Sequence, residues 1–142
     1  MSVSAAAGRA PDREQSIRVM VVDDQPSFRR AARALINATS GFESVGEADC
    51  GEEALRRANQ LRPDLVLMDV FMPGMDGFEA SRRLAKAHPH CVVVLVSLEE
   101  SEDLPAMVAS SGATALVRKQ DLKPSLLRHL WADHGTGQRG QS

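Results

Sequence analysis

Two hydrophobic patterns alternate along this chain. Short runs rich in β-branched residues recur, and the stretches between them carry apolar residues at the spacing of one helical face. The short runs predict strands at Ile17–Val22, Phe42–Ala48, Asp64–Met68, Cys91–Val96 and Thr114–Arg118. The stretches that follow them predict helices at Ser27–Ala38, Gly51–Leu61, Gly77–Ala87, Leu104–Ser110 and Leu122–Asp133. Because such alternation builds βαβ units, we predict an α/β domain with a parallel sheet.

Individual segments refine this prediction. Every position of Val92–Val96 is apolar, which indicates a strand buried on both faces and therefore central in the sheet. The first helix separates an apolar face from a polar face that holds Arg29, Arg30 and Arg33, and we expect these arginines to face solvent. Pro105 suits only the first turn of the fourth helix, because proline lacks an amide hydrogen.

Length, charge and cysteine content limit the function. A chain of 142 residues suits one domain, which we place at 17–133, between a flexible leader at 1–16 and a disordered tail at 134–142. The net charge of −2 argues against direct nucleic-acid binding, and no stretch is long enough to cross a membrane. Cys50 and Cys91 fit reduced thiols better than a disulfide framework, so we expect a cytoplasmic protein.

Reactive side chains stand at the ends of four predicted strands. Asp23 and Asp24 follow the first strand, Asp69 the third, Ser97 the fourth and Lys119 the fifth. In an open parallel sheet, ligands bind beyond the carboxyl ends of the strands, where the strand order reverses. Three acids, one hydroxyl and one ammonium group are therefore expected to converge.

The residue types in this pocket indicate its chemistry. Two carboxylates about 4 Å apart repel by about 4 kcal/mol at an effective dielectric constant of 20, so three of them need a cation. Oxygen ligands without Cys or His favour a hard ion such as Mg²⁺, and we predict Asp24 and Asp69 as its direct ligands. Asp69 could then attack phosphorus and become an acyl phosphate. Lys119 and Ser97 could stabilise the charge of the phosphoryl group.

Four segments in this order match a known family. They are Val21–Asp24, Asp69–Gly77, Ser97, and Gly112-Ala113 leading to Lys119. Together they resemble the CheY-like receiver domain of bacterial two-component response regulators, over about 18–131. Asp24-Gln25-Pro26 and Lys119–Leu122 look closest to receivers that usually precede a helix-turn-helix output domain.

The resemblance implies a fold and a complete site. The fold is a (βα)5 flavodoxin-like three-layer sandwich whose five-stranded parallel sheet has the order 2-1-3-4-5. Asp69 is the phosphoacceptor, and Mg²⁺ is held by Asp24, Asp69 and the backbone carbonyl of Phe71, with Asp23 acting through a water. Ser97 and Lys119 stabilise the phosphoryl group.

The family also implies partners and a mode of action. A histidine kinase or phosphotransfer protein donates the phosphoryl group, and the added charge changes the surface of helix four, strand five and helix five for a downstream effector protein. The chain is thus expected to be a signalling switch and not a turnover enzyme. Whether it forms a homodimer is left open.

The chain departs from the family pattern at three positions. Leu116 replaces the strand-five Tyr or Phe whose ring changes rotamer on activation, so this switch position has no ring to move. Leu98 replaces a usual Ala beside the site and is expected to restrict access to Asp69. Phe71 is large enough to screen attacking water, which predicts slow loss of phosphate.

Alternative interpretations remain. Asp23 and Asp24 could merely cap the following helix. A phosphatase of the haloacid dehalogenase type also uses an Asp nucleophile and magnesium, but it needs an acid two residues later, where this chain has Phe71. The chain could instead be a phosphorylation-independent interaction module, or the receiver fragment of a DNA-binding transcription regulator.

Overall fold

The strands form a single parallel sheet in the order β2-β1-β3-β4-β5. The computed structural model describes residues 16–98 and 103–135. The strands are β1 (Ile17–Val22), β2 (Phe42–Ala48), β3 (Leu65–Asp69), β4 (Val92–Ser97) and β5 (Ala115–Arg118). The predicted sheet order is confirmed. Two predicted ends shift by one residue, because Asp69 and Ser97 are still paired with the neighbouring strands as the last residues of β3 and β4.

Each of the first four helices connects two consecutive strands, and a fifth follows the last strand. The helices are α1 (Pro26–Ala38), α2 (Gly51–Leu61), α3 (Gly77–Ala87), α4 (Leu104–Ala109) and α5 (Pro124–Leu130). Pro105 lies in the first turn of α4, as predicted. The last helix differs from the prediction: Lys119–Asp121 first form a 3-10 turn, and α5 begins at Pro124, where proline's missing amide costs nothing.

Two apolar layers cover the two faces of the sheet. On one side, α2 and α3 contribute Ala54, Ala58, Phe78 and Leu84 to the core. On the other side, α1 and α5 contribute buried apolar residues that include Ile36 and Leu127. Every residue of β4 is buried, as predicted, but the central strand is β3, and β4 lies between it and the edge strand β5. The architecture is therefore the predicted three-layer sandwich.

The two ends of the chain fall mostly outside the described residues. Residues 1–15 of the predicted leader and 136–142 of the predicted tail are among these. A π-helical turn, Trp131–Gly135, continues α5, so the helical segment extends two residues into the part for which we predicted disorder. Within 16–98 and 103–135, no helix has the length and apolar character needed to span a membrane.

Candidate functional site

Three carboxylates meet at the carboxyl end of the sheet. Asp23 and Asp24 directly follow β1, and Asp69 ends β3, the strand next to β1. The strand order reverses between these two strands, where open α/β sheets form their ligand sites. One carboxylate oxygen from each acid lies within 4.8 Å of the other two. Asp23 and Asp69 are buried, whereas Asp24 is exposed.

The side chain of Lys119 reaches into this cluster from the end of β5. Its Nζ lies 2.6 Å from Asp23 Oδ2 and 3.5 Å from Asp69 Oδ1. The first contact is an ion pair without the directional geometry of a hydrogen bond. The ammonium also lies 4.4 Å from the ring centre of Phe28, a cation–π distance. Lys119 is thus held between two acids and an aromatic face.

The backbone around Asp23 is fixed from three directions. Its amide donates to the carbonyl of Ala48 at the end of β2 (3.0 Å), and its Oδ1 accepts from the amide of Gln25 (2.8 Å). Its carbonyl accepts a bond from Arg29 Nη1 (2.6 Å). The capping interpretation is therefore wrong, because the N-cap of α1 is Gln25 and no side chain caps this helix. Asp23 Oδ1 binds the amide of that N-cap residue, and Asp23 Oδ2 lies beside Lys119.

Burial and repulsion change the acidity of Asp69. Desolvation is the largest cause, followed by the charge of Asp23, and together they raise the pKa of Asp69 from 3.8 to about 6 although Lys119 opposes the rise. The cluster contains three carboxylates, whereas Lys119 supplies a single positive charge. The donor set consists of carboxylate oxygens, which suits a hard divalent cation.

The raised pKa of Asp69 predicts how stability depends on pH without metal. The folded protein holds the Asp69 proton up to about pH 6, whereas the unfolded chain releases it near 3.8. Stability should therefore fall as the pH rises through this window, by on the order of 3 kcal/mol. Urea unfolding in EDTA should show this slope in the parent protein and a weaker one in Asp69→Asn. Equal slopes in the two proteins would contradict the assignment.

The remaining predicted side chains surround the same small pocket. Ser97, Phe71 and Leu98 line a cavity of about 160 Å³ together with Asp24, Asp69 and Lys119. Ser97 is buried, whereas Phe71 and Leu98 are 53% and 63% exposed. Leu98 therefore stands at the mouth of the pocket. Leu116 does not line it and packs, half-buried, against the core.

Gly77, the first residue of α3, allows the chain to fold back onto the end of β3. Its amide donates to the carbonyl of Val70 (2.8 Å). A Cβ at this position would overlap the carbonyl oxygen of Asp69 and lie 2.9 Å from Val70 Cα. Both obstacles are backbone atoms that cannot rotate away. Absence of a side chain here allows the Asp69 loop to close.

Gly77→Ala should destabilise the protein by about 2–4 kcal/mol, because the new methyl group forces the backbone of the Asp69 loop to move. Gly51→Ala is the matched control. Gly51 also begins a helix, but a Cβ there meets only the flexible side chain of Met75, at 3.0 Å. Chemical unfolding should show a clearly larger loss for the first variant, and equal losses would refute this explanation.

Sequence reasoning missed two side chains of the site. Arg29 was expected to face solvent, yet only 20% of its side chain is exposed, and it binds the carbonyl of Asp23. The contact of Phe28 with Lys119 was not foreseen either. The only sequence feature that could have placed them at the site is their position about one helical turn after Asp23 and Asp24.

Comparison with known proteins gives the family. The family model described as "Response regulator receiver domain" matches residues 19–130. The response regulator GacA of Pseudomonas viridiflava is 43% identical over 103 residues, which cover 72% of this chain and 48% of GacA. The response regulator UvrY of Escherichia coli (strain K12) is 35% identical over 103 residues, which cover 72% of this chain and 47% of UvrY.

A solved structure agrees with these matches. The signal receiver domain of NarL from Mycobacterium tuberculosis superposes with a TM-score of 0.78 at 28% identity, over 87% of this chain and 98% of that one. The chain spans about half the length of the curated relatives it matches. The chain belongs to the response regulator receiver domains of two-component signalling systems.

Proposed function

We propose that this receiver is a phosphoacceptor switch in which Asp69 accepts a phosphoryl group from a histidine kinase or a phosphotransfer protein. The observation that carries the proposal is the position of Asp69. Its buried carboxylate lies beside two further acids and 3.5 Å from the ammonium of Lys119, which also pairs with Asp23. A nucleophile in this position has a cation site and a fixed positive charge beside it.

The acid cluster fits Mg²⁺ as the cofactor. Asp24 and Asp69 would be direct ligands, Asp23 would act through a water, and the backbone carbonyl of Phe71 would complete the protein's share. Asp24 is the exposed member of the cluster, so an ion could keep several waters, as Mg²⁺ usually does. The bound ion would neutralise the carboxylates and the phosphoryl oxygens.

In the proposed reaction, an oxygen of Asp69 forms a bond to phosphorus as the bond from phosphorus to the donor's imidazole nitrogen breaks. The imidazole keeps the electron pair, and the product is an acyl phosphate on Asp69. Lys119, 3.5 Å from Asp69 Oδ1, would pair with one phosphoryl oxygen. The Ser97 hydroxyl would donate a hydrogen bond to another. Phe71 at the pocket would slow attack by water.

A groove beside the pocket offers room for the donor protein. Its volume is about 490 Å³, and its lining includes Phe28, Ala31, Leu35 and Leu122. Leu98 and Lys119 line both the groove and the acceptor pocket. An apolar helix of a kinase or phosphotransfer protein lying in this groove would bring its phosphohistidine close to Asp69.

The output of the switch would be a protein contact. Phosphorylation would replace the singly charged carboxylate of Asp69 by an acyl phosphate with about two negative charges. This change would alter the surface of α4, β5 and α5 and thereby the affinity for an effector. Leu116 has no ring, so transmission would rest on movement at Ser97. We assign no turnover activity, nucleic-acid contact or membrane contact to this chain. Cytoplasmic location remains a prediction, and homodimer formation is left open.

Two alternative assignments differ in their output. Because the chain matches about half of GacA and UvrY, it could act as the receiver of a longer DNA-binding regulator. The exposed Leu98 at the pocket mouth and the ringless Leu116 favour a second candidate, a receiver that binds its partner without phosphorylation. In that case, Asp69→Ala would leave partner binding unchanged.

Intact mass after incubation with acetyl phosphate tests the proposal. With Mg²⁺, the protein should gain the mass of one phosphoryl group, and with EDTA it should gain none. If acetyl phosphate fails, the phosphorylated histidine kinase of the same system replaces it as donor. Absence of an adduct with both donors in Mg²⁺ would contradict the proposal and favour the phosphorylation-independent module.

A further inference from the structure

Arg29 connects three elements beneath the acid pair. From the second turn of α1, its Nη1 donates to the carbonyl of Asp23 at 2.6 Å. Its Nε lies 3.5 Å from Oε1 of Glu47, near the end of β2. Arg33 Nη1 lies 2.7 Å from Glu47 Oε2. Glu47 is thus held by two arginines of one helix and in turn restrains the Arg29 guanidinium.

The bond to Asp23 acts on the residue that follows it. The carbonyl of Asp23 and the amide of Asp24 belong to one rigid peptide plane. A charged donor that fixes this carbonyl therefore also fixes the direction in which the Asp24 chain leaves β1. On its N-terminal side, Asp23 is held by the hydrogen bond that its backbone amide donates to the carbonyl of Ala48 (3.0 Å). Asp24 itself is exposed.

We propose that Arg29, restrained by Glu47, is a positioning residue that holds the Asp23–Asp24 peptide in the orientation needed to bind a divalent cation. This inference rests on the proposed function because it assigns a role toward the same metal site. Removal of a group that hydrogen-bonds to a metal ligand and orients it typically weakens metal binding by about 10–100-fold. Arg29 would not touch the ion or the phosphoryl group.

Because Arg29 is positively charged, the direction in which its loss changes the affinity for Mg²⁺ tests the proposal. A cation close to the acid cluster opposes Mg²⁺ binding, so loss of its charge alone would strengthen binding. Loss of the orienting bond would weaken it. Arg30 is the next residue of the same helix and is exposed, so Arg30→Met removes the same charge without removing that bond.

The experiment is a calorimetric titration of the metal-free protein with Mg²⁺, in the parent protein, Arg29→Met, Arg29→Lys and Arg30→Met. We expect Arg29→Met to raise the Kd for Mg²⁺ about tenfold or more. Arg30→Met should leave the Kd unchanged or lower it slightly. Arg29→Lys keeps a charged donor and should recover part of the affinity. Circular dichroism establishes that each variant is folded.

Kinetics give a second readout that a purely structural role would not produce. In Arg29→Met, the Mg²⁺ concentration for half-maximal phosphorylation by acetyl phosphate should rise, while the rate at saturating Mg²⁺ stays near that of the parent. A folded Arg29→Met with the parent's Kd, or an equal shift in Arg30→Met, would overturn the inference alone. If the parent protein does not bind Mg²⁺, the proposed metal site and this inference both fail.

Discussion

Asp69→Asn is expected to abolish phosphoryl transfer to this protein, with a fall in rate of more than about a thousandfold. Asparagine has almost the same shape as aspartate, but its amide is not a nucleophile at neutral pH and cannot form the acyl phosphate. Intact mass with acetyl phosphate and Mg²⁺ should show no adduct over the time in which the parent protein is fully modified.

The matched control for this variant is Asp76→Asn. It removes one carboxylate from the same loop, where Asp76 Oδ1 accepts from the amide of Glu79 (2.9 Å) as the N-cap of α3. Asparagine caps helices as well as aspartate does, so this variant should fold and accept phosphate normally. An unchanged phosphorylation rate in Asp69→Asn would refute Asp69 as the acceptor.

Lys119→Met should lower the rate of phosphorylation by about 10²–10³-fold at saturating Mg²⁺. Methionine has similar length but no charge, so the transferred phosphoryl group would lose the fixed cation beside Asp69. Asp69 would also lose a positive neighbour that now lowers its pKa. In the metal-free protein, the pKa of Asp69 should therefore rise further.

Lys123→Met provides the comparison for Lys119. Lys123 is exposed in the same connection between β5 and α5, so its loss changes the net charge equally without touching the pocket. Initial rates measured by intact mass at several pH values separate the two variants. A Lys119→Met rate within threefold of the Lys123→Met rate would show that the ammonium does not assist transfer.

Much of the architecture follows from local sequence patterns. The hydrophobic patterns predict all five strands to within a residue or two. The signal is strongest in β3 and β4, because strands that are buried on both faces are apolar over nearly their whole length. Right-handed crossover connections between parallel strands then bring the carboxyl ends of all the strands to one edge of the sheet. For this reason, the convergence of Asp23, Asp24 and Asp69 could be predicted before any distance was known.

The last helix shows where local pattern stops being sufficient. Apolar spacing predicted a helix from Leu122, yet the chain first forms a 3-10 turn at Lys119–Asp121, and α5 begins at Pro124. The turn directs the side chain of Lys119 back over the sheet edge toward Asp23. Such a turn depends on the position of β5 against β4. The spacing of apolar residues within this segment carries no information about that position.

The sequence by itself determined the α/β class, the strand ends and the set of reactive residue types, because each depends on neighbours along the chain. Only the tertiary structure decided which residues the long side chains of Lys119 and Arg29 contact in other elements. The ammonium of Lys119 lies closer to the carboxylate of Asp23 than to that of Asp69. Arg29 does not face solvent but binds the carbonyl of Asp23 and pairs with Glu47. The contacts of Lys119 with Asp23 and of Arg29 with Glu47 join different elements, so they exist only once β1, β2, α1 and β5 have packed together.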